Sequence, residues 1–227
     1  MLTDTDRHAI ADAIARAEAN TAGEISCVLA EEASRYREVP LGYAAVVALL
    51  LPPVALALGF RPLALAEMVS GWAAAQSATT ERDILLALSA YAVVQAVLFS
   101  ATALIVSIPA VRRALTPGFL KHHRVAQSAR HHFVGLIARL GDDYPFVLIY
   151  AARADRKVEI LASAAAHRAV GEDVWRDAAG VLATSMREGR AGGGFVRAIE
   201  LCGGALARHF PPVHAKRNAL PDTLLET

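Results

Sequence analysis

Three consecutive glycines, Gly192-Gly193-Gly194, stand directly before a helical pattern, where free backbone amides could cradle an anion. No GxGxxG or GxxxxGK[ST] pattern surrounds them, so a flexible turn is the competing reading. His123 and His131 lie eight residues apart on one expected helix face, with Gln127 between them. Two imidazoles could contribute to a metal site, but no Cys, Asp or Glu joins them. His209, just before Phe210-Pro211, has the chemistry of a general acid or base. It equally suits a helix end, where the dipole favours a cation. Cys27 and Cys202 show no CxxC spacing and read as small buried hydrophobes, with no disulfide expected in a reducing cytosol. Trp175 reads as core.

The elements that must position these groups are organised around two apolar stretches. Leu41–Phe60 is free of charge over 20 residues and Ile84–Val111 over 28. About 20 apolar residues suffice for a helix to cross a ~30 Å hydrocarbon core. The two stretches therefore predict a transmembrane hairpin over 41–111, with spans 41–60 and 84–111 and a short loop 61–83. A hairpin returns the chain to the side it left, so residues 1–40 and 112–227 can build one discontinuous domain. Arg35 and Arg37 before the hairpin, and Arg112, Arg113, Lys121 and Arg124 after it, place both termini in the cytoplasm by the positive-inside rule. Pro52-Pro53 predicts a kink in the first span, and Gln95, Ser100 and Thr102 offer hydrogen bonds between the helices. The loop segment Pro62–Ala78, with Trp72, suits an interfacial helix. These features predict an integral membrane protein with both flanks on the cytoplasmic side.

Outside the hairpin the chain reads as α/β, a small sheet covered by helices. Thr3–Asn20 has helical apolar spacing (Ile10, Ala13, Ile14, Ala17) behind a capping box at Thr3-Asp4-Thr5-Asp6. Glu24–Ala30 reads as a strand, and Phe146–Ala152 with Lys157–Ser163 as a β-hairpin turning at residues 153–156. Pro117–Leu140 is an expected helix with Phe119, Val125, Phe133, Leu136 and Ile137 as its apolar set. Its polar side, with the adjoining Arg112–Arg130 stretch, suits anionic lipid head groups. Helices are also expected over Glu172–Arg187 and Phe195–His209, and the tail from Pro211 is expected to lie extended over the domain. A net charge of +1 provides no global basic field for nucleic acid.

Five short signatures, in order, resemble the TPM domain found in thylakoid repair proteins, a nematode receptor-accessory protein and many bacterial membrane proteins. They are Thr21-Ala22-Gly23-Glu24-Ile25, the hairpin Phe146–Ser163, Trp175 with the glycine run before Phe195, His209-Phe210-Pro211, and Asn218-Ala219-Leu220-Pro221-Asp222. The resemblance spans most of the 156 residues outside the hairpin. It implies an α/β sandwich and, for some members, acidic residues that bind Ca²⁺ or Mg²⁺ and an acid phosphatase activity. Carried over by position, Glu24 and Asp222 remain, whereas Ser163 and Ala219 replace expected acids and Ala215-Lys216-Arg217 replaces others. A hard cation needs several oxygen ligands, so the pattern suggests a degenerate site. The resulting expectation is a membrane-anchored, non-catalytic module that assists assembly, repair or regulation of another membrane protein. The alternative is a divalent-cation-dependent phosphatase using Glu24, Asp222, Asp142 and Asp143, with Asn218 nearby.

Overall fold

The structure is a computed structural model describing residues 2–31, 38–59, 81–212 and 218–227. The chain divides into two compact units. One joins Met1–Arg35 to Pro117–Thr227; the other is Tyr36–Thr116.

The first unit is mixed α/β and mostly helical. Helix α1 (Asp4–Glu18) is followed by β1 (Glu24–Ala30); α5 (Gly118–Leu140) leads to β2 (Phe146–Ala152) and β3 (Lys157–Ala162). Helices α6 (Ala164–Val170), α7 (Glu172–Arg187) and α8 (Ala191–His209) follow, and β4 (Leu225–Glu226) ends the order. The sheet order is β3-β2-β1-β4, with β1 parallel to both β2 and β4 and β3 antiparallel to β2. Every residue of β2 is buried, which its uninterrupted apolar run requires of a strand covered on both faces. On one face Ile25, Cys27, Val147 and Ile149 pack with Ile14 of α1, Trp175 and Leu182 of α7, and Phe195 and Ile199 of α8. On the other, Val28, Leu148 and Tyr150 pack with Val125, Ala129 and Phe133 of α5. The expected sheet between helices is therefore present.

Local chemistry explains the element ends. Thr3 caps α1: its hydroxyl accepts from the Asp6 amide at 3.1 Å while Asp6 accepts from the Thr3 amide at 2.9 Å. Arg156, at φ 51°, turns β2 into β3. Two expectations are corrected here. The glycine run does not break the chain before a helix; Gly192–Gly194 form the first turn of α8. A Cβ on Gly192 would collide with the Asp6 carboxylate, and one on Gly194 would stand 2.6 Å from the Ser185 Cβ. Glycine thus lets α8 approach α1 and α7 more closely than any side chain permits. Phe119, expected in the apolar set of α5, is 76% exposed instead.

The second unit holds α2 (Glu38–Ala57), α3 (Glu81–Ser107) and α4 (Pro109–Leu115). Helix α2 runs through Pro52 and Pro53. Helices α2 and α3 pack together, with Ala44 and Ala48 buried and the Gln95 side-chain amide donating to the Ala48 carbonyl at 3.3 Å. The Tyr43 hydroxyl donates to the Leu115 carbonyl at 3.1 Å, which brings the start of α2 to the end of α4. Among the described residues one helix is long and apolar enough to cross a membrane, through Glu38–Ala55. The second expected span is shorter than its charge-free run. Helix α3 ends at Ser107, short of Val111 where the charge-free run ends, and Ile108 takes an extended ψ of 124° ahead of Pro109. A proline drives the preceding residue out of helical geometry, so absence of charge overestimates the span. The expected interfacial segment Pro62–Ala78 with Trp72, together with Arg35, Arg37 and Ala215-Lys216-Arg217, lies outside the described residues.

Candidate functional site at the start of the sheet

The polar groups that converge in the α/β unit do so where β1 and β2 begin. Ile14 and Glu18 are four apart, so the α1 face that buries the isoleucine also carries the glutamate inward. The Glu18 carboxylate, 7% exposed, accepts from the Ile25 amide at 2.8 Å. Thr21, fully buried, donates to the Phe210 carbonyl at 2.7 Å and accepts from the Gly23 amide at 3.1 Å. Gly23 leaves little room: a Cβ would lie 3.2 Å from both Leu206 and the Pro145 carbonyl. Glu24 then enters the strand, fully buried, and accepts from the Leu220 amide at 3.1 Å. The Tyr144 hydroxyl donates to the Ala22 carbonyl at 3.2 Å. Burial first, and the Glu24 and Glu18 carboxylates next, push the Tyr144 phenol above its ordinary pKa.

This arrangement accounts for the Thr-Ala-Gly-Glu-Ile signature as a joint. Thr21 ties α1 to the end of α8, Gly23 permits the close passage, and Glu24 holds the tail. The tail signature answers it: the Asn218 amide donates to Asp222 at 2.7 Å, Arg139 of α5 reaches the Ala219 carbonyl at 3.4 Å, and Leu220 is buried.

The other candidate positions lie on the β3 side of the same sheet end, beyond Phe146, the β2 residue paired with Glu24. Asp142 accepts from the Ala164 amide at 2.8 Å and so caps the start of α6. Ser163 occupies the position of an expected acid. It is fully buried, and its hydroxyl accepts from the Phe146 amide at 3.2 Å and from the Ala166 amide at 3.3 Å. Asp143 is 97% exposed and pairs with Arg168 at 3.2 Å. Among the described residues, no group of three His, Cys, Asp or Glu side chains is placed to hold a metal ion.

Beside the glycine run, α7 and α8 enclose a groove of about 690 Å³ lined by Arg176, Arg190, Arg197, Asp177, Glu188 and Thr184. Arg176 is tied to Glu172 and Asp173, and Arg190 to Glu188. Of the three glycines only Gly193 has open space where a Cβ would go. Trp175 is 4% exposed within the core, His209 is exposed at the last turn of α8, and His123 and His131 are exposed on α5. Cys27 and Cys202 are buried with free thiols. Burial pushes the Cys202 thiol up to about 12 and raises Cys27 well above the ordinary value.

Sequence reasoning missed Glu18, Thr21 as a hydrogen-bonding hub, and Tyr144. The helical spacing Ile10, Ile14, Glu18 was the available signal for the first; nothing local marks the other two.

Comparison with known families and with curated proteins finds no match. Among solved structures, the NMR structure of the BA42 protein from the psychrophilic bacterium Bizionia argentinensis is similar. It aligns with a TM-score of 0.54 at 19% identity, covering 100% of this chain and 96% of that one. At that identity the likeness concerns the fold alone.

Proposed function

We propose that this chain is a membrane-anchored, TPM-like interaction module that presents its α/β unit at the cytoplasmic face and assists assembly, repair or regulation of a membrane protein. The carrying observation is the outward surface of α2. Leu49, Leu50 and Val54 stand 63, 58 and 50% exposed, and on α3 Val97 and Leu104 are 60 and 75% exposed. Apolar surface on this scale is costly in water and favourable in hydrocarbon. With α3 as the return span, the pair forms an anchoring hairpin. The order of TPM-like signatures supports the assignment of the α/β unit, and the engagement of Glu24, Asp142 and Ser163 in tying elements together supports a binding role over a catalytic one. The anticipated partners are a membrane protein and anionic lipid head groups, with no nucleic acid.

Alkaline carbonate extraction of native membranes, followed by in-membrane cross-linking of the full chain, tests this reading. Retention in the pellet and a discrete cross-linked species are expected. Release by carbonate would overturn the anchor. Hydrolysis of a simple phosphate ester stimulated by Ca²⁺ or Mg²⁺, and abolished in Glu24→Gln, would replace the module with a phosphatase.

A further inference from the structure

Helix α5 runs for 23 residues without a single acidic side chain. Its inward face is defined by Val125 and Ala129, both fully buried, and by Phe133 and Leu136 packed beside them. The opposite face combines two kinds of residue seldom left together in water. Phe119 and Val134 are 76 and 63% exposed, and between them lie His123, Arg130 and His131, also exposed, whereas His122 continues the stripe of Val125 and Ala129. Exposed apolar side chains flanked by cations match the interface of an anionic bilayer, where the apolar groups enter the acyl boundary and the cations meet head groups. Only α4 separates α5 in the chain from α3.

We propose that the outward face of α5 docks on an anionic bilayer surface, and that His123 and His131 make this docking stronger as the pH falls. The proposal rests on the anchoring reading above and adds the surface, its lipid chemistry and its regulation. Histidine changes charge between about pH 5 and 8, so acidification can add cations at two positions beside the permanent charge of Arg130. Lys121, Arg124 and Arg139 are the other cations of the helix. The groups facing α5 from the sheet are Tyr150 of β2, Lys157 and Glu159 of β3, which align with Ala152 and Tyr150, and Glu24 at the start of β1. Asp155 in the β2–β3 turn acts on Tyr150. His132 points inward, with its ring 5.6 Å from that of Tyr150. Burial, and then His131, hold its pKa below the ordinary value, so it stays outside the switch.

The test uses the full chain with Val134→Cys carrying an environment-sensitive fluorophore, since both native cysteines are buried. The protein is placed in nanodiscs of phosphatidylcholine alone, or with 30 mol% (about one lipid in three) phosphatidylglycerol, at about pH 7.5 and pH 5.5. The expected result is a blue-shifted, brighter signal only with phosphatidylglycerol, with the docking equilibrium rising about fivefold for each histidine that gains charge. His123→Gln/His131→Gln should abolish the pH response while leaving the lipid response at pH 7.5. Arg130→Gln should weaken docking at both pH values, and Phe119→Ser should reduce the blue shift. A signal independent of phosphatidylglycerol overturns the docking face; one that depends on the lipid but not on pH overturns the histidine switch. Carbonate extraction of the same sample separates the two readings. A retained chain without the lipid response defeats the α5 proposal alone. A released chain whose vesicle flotation still depends on phosphatidylglycerol and pH defeats the anchor and leaves the α5 proposal standing.

Discussion

In β2 seven consecutive residues, Phe146–Ala152, are buried, whereas in α2 Leu49, Leu50 and Leu51 are 63, 58 and 49% exposed. Both stretches are apolar, and hydrophobicity alone does not distinguish them. The difference lies in what surrounds each. The β2 side chains alternate between two helical layers, so protein replaces water on both faces. Helix α2 packs chiefly on α3 and buries small residues, Ala44 and Ala48, while its leucines face out. Small residues inward and large ones outward reverse the order of a water-soluble core and match helix packing in lipid.

The contrast can be broken most directly at its two extremes. Ile149→Ala should destabilise the α/β unit by about 3 kcal/mol, because a fully buried aliphatic side chain leaves a cavity. Leu49→Ala in the same detergent-solubilised protein should leave the chemical denaturation midpoint of that unit unchanged. Equal losses at both sites would show that α2 belongs to a water-excluding protein core.

Close helix contact gives the next effect. A Cβ on Gly203 would stand 2.6 Å from the Ala17 Cβ, so Gly203→Val should cost about 2 kcal/mol by overpacking α8 on α1. Gly193→Ala, in the first turn of the same helix and open to space, should be neutral or stabilising, and thermal unfolding of the pair checks the difference.

The tail joint is expected to be weaker. Glu24→Ala should cost about 1–2 kcal/mol by leaving the Leu220 amide without its acceptor. Proteolysis near residue 220 should accelerate in parallel, and unchanged protection there would detach the tail from Glu24.

The smallest effects sit at the N-terminus and the sheet edge. Thr3→Ala should remove about 1 kcal/mol of capping, read by urea denaturation. The backbone and hydroxyl of Thr3 lower the Asp6 pKa, and the Arg7 guanidinium lowers that of Glu226. A carboxylate whose folded pKa is depressed contributes stability above its unfolded value, about pH 4, and loses it as the pH falls through the lower folded value. Both groups are exposed, so their combined share of acid destabilisation is small. Thr3→Ala/Arg7→Ala should therefore be less stable than the parent chain above pH 6, with a slightly flatter pH dependence below about pH 4.5, where the difference shrinks.

Local pattern carried much of this protein. Short, mostly apolar runs placed β1 and β2 to the residue, and the Thr3-to-Asp6 spacing specified a capping box that forms. Apolar spacing of 3.6 residues located α1, α5 and α7. These features arise from interactions within a few residues, so a linear reading reaches them. Tertiary structure decided what depends on distant partners. Leu225–Glu226 has no strand pattern of its own, yet becomes β4 because the outer edge of β1 offers backbone partners at Leu29 and Glu31. The glycine run becomes helix because α1 and α7 press against it, and Phe119 stays outside because α5 presents Val125 and Ala129 to the sheet. Glu18, Thr21, Glu24, Tyr144 and Leu220, up to about 200 residues apart, meet at one corner through backbone hydrogen bonds formed only when the sheet assembles. Residue type announced a carboxylate at position 24; only the packed fold determined that its acid would hold the tail.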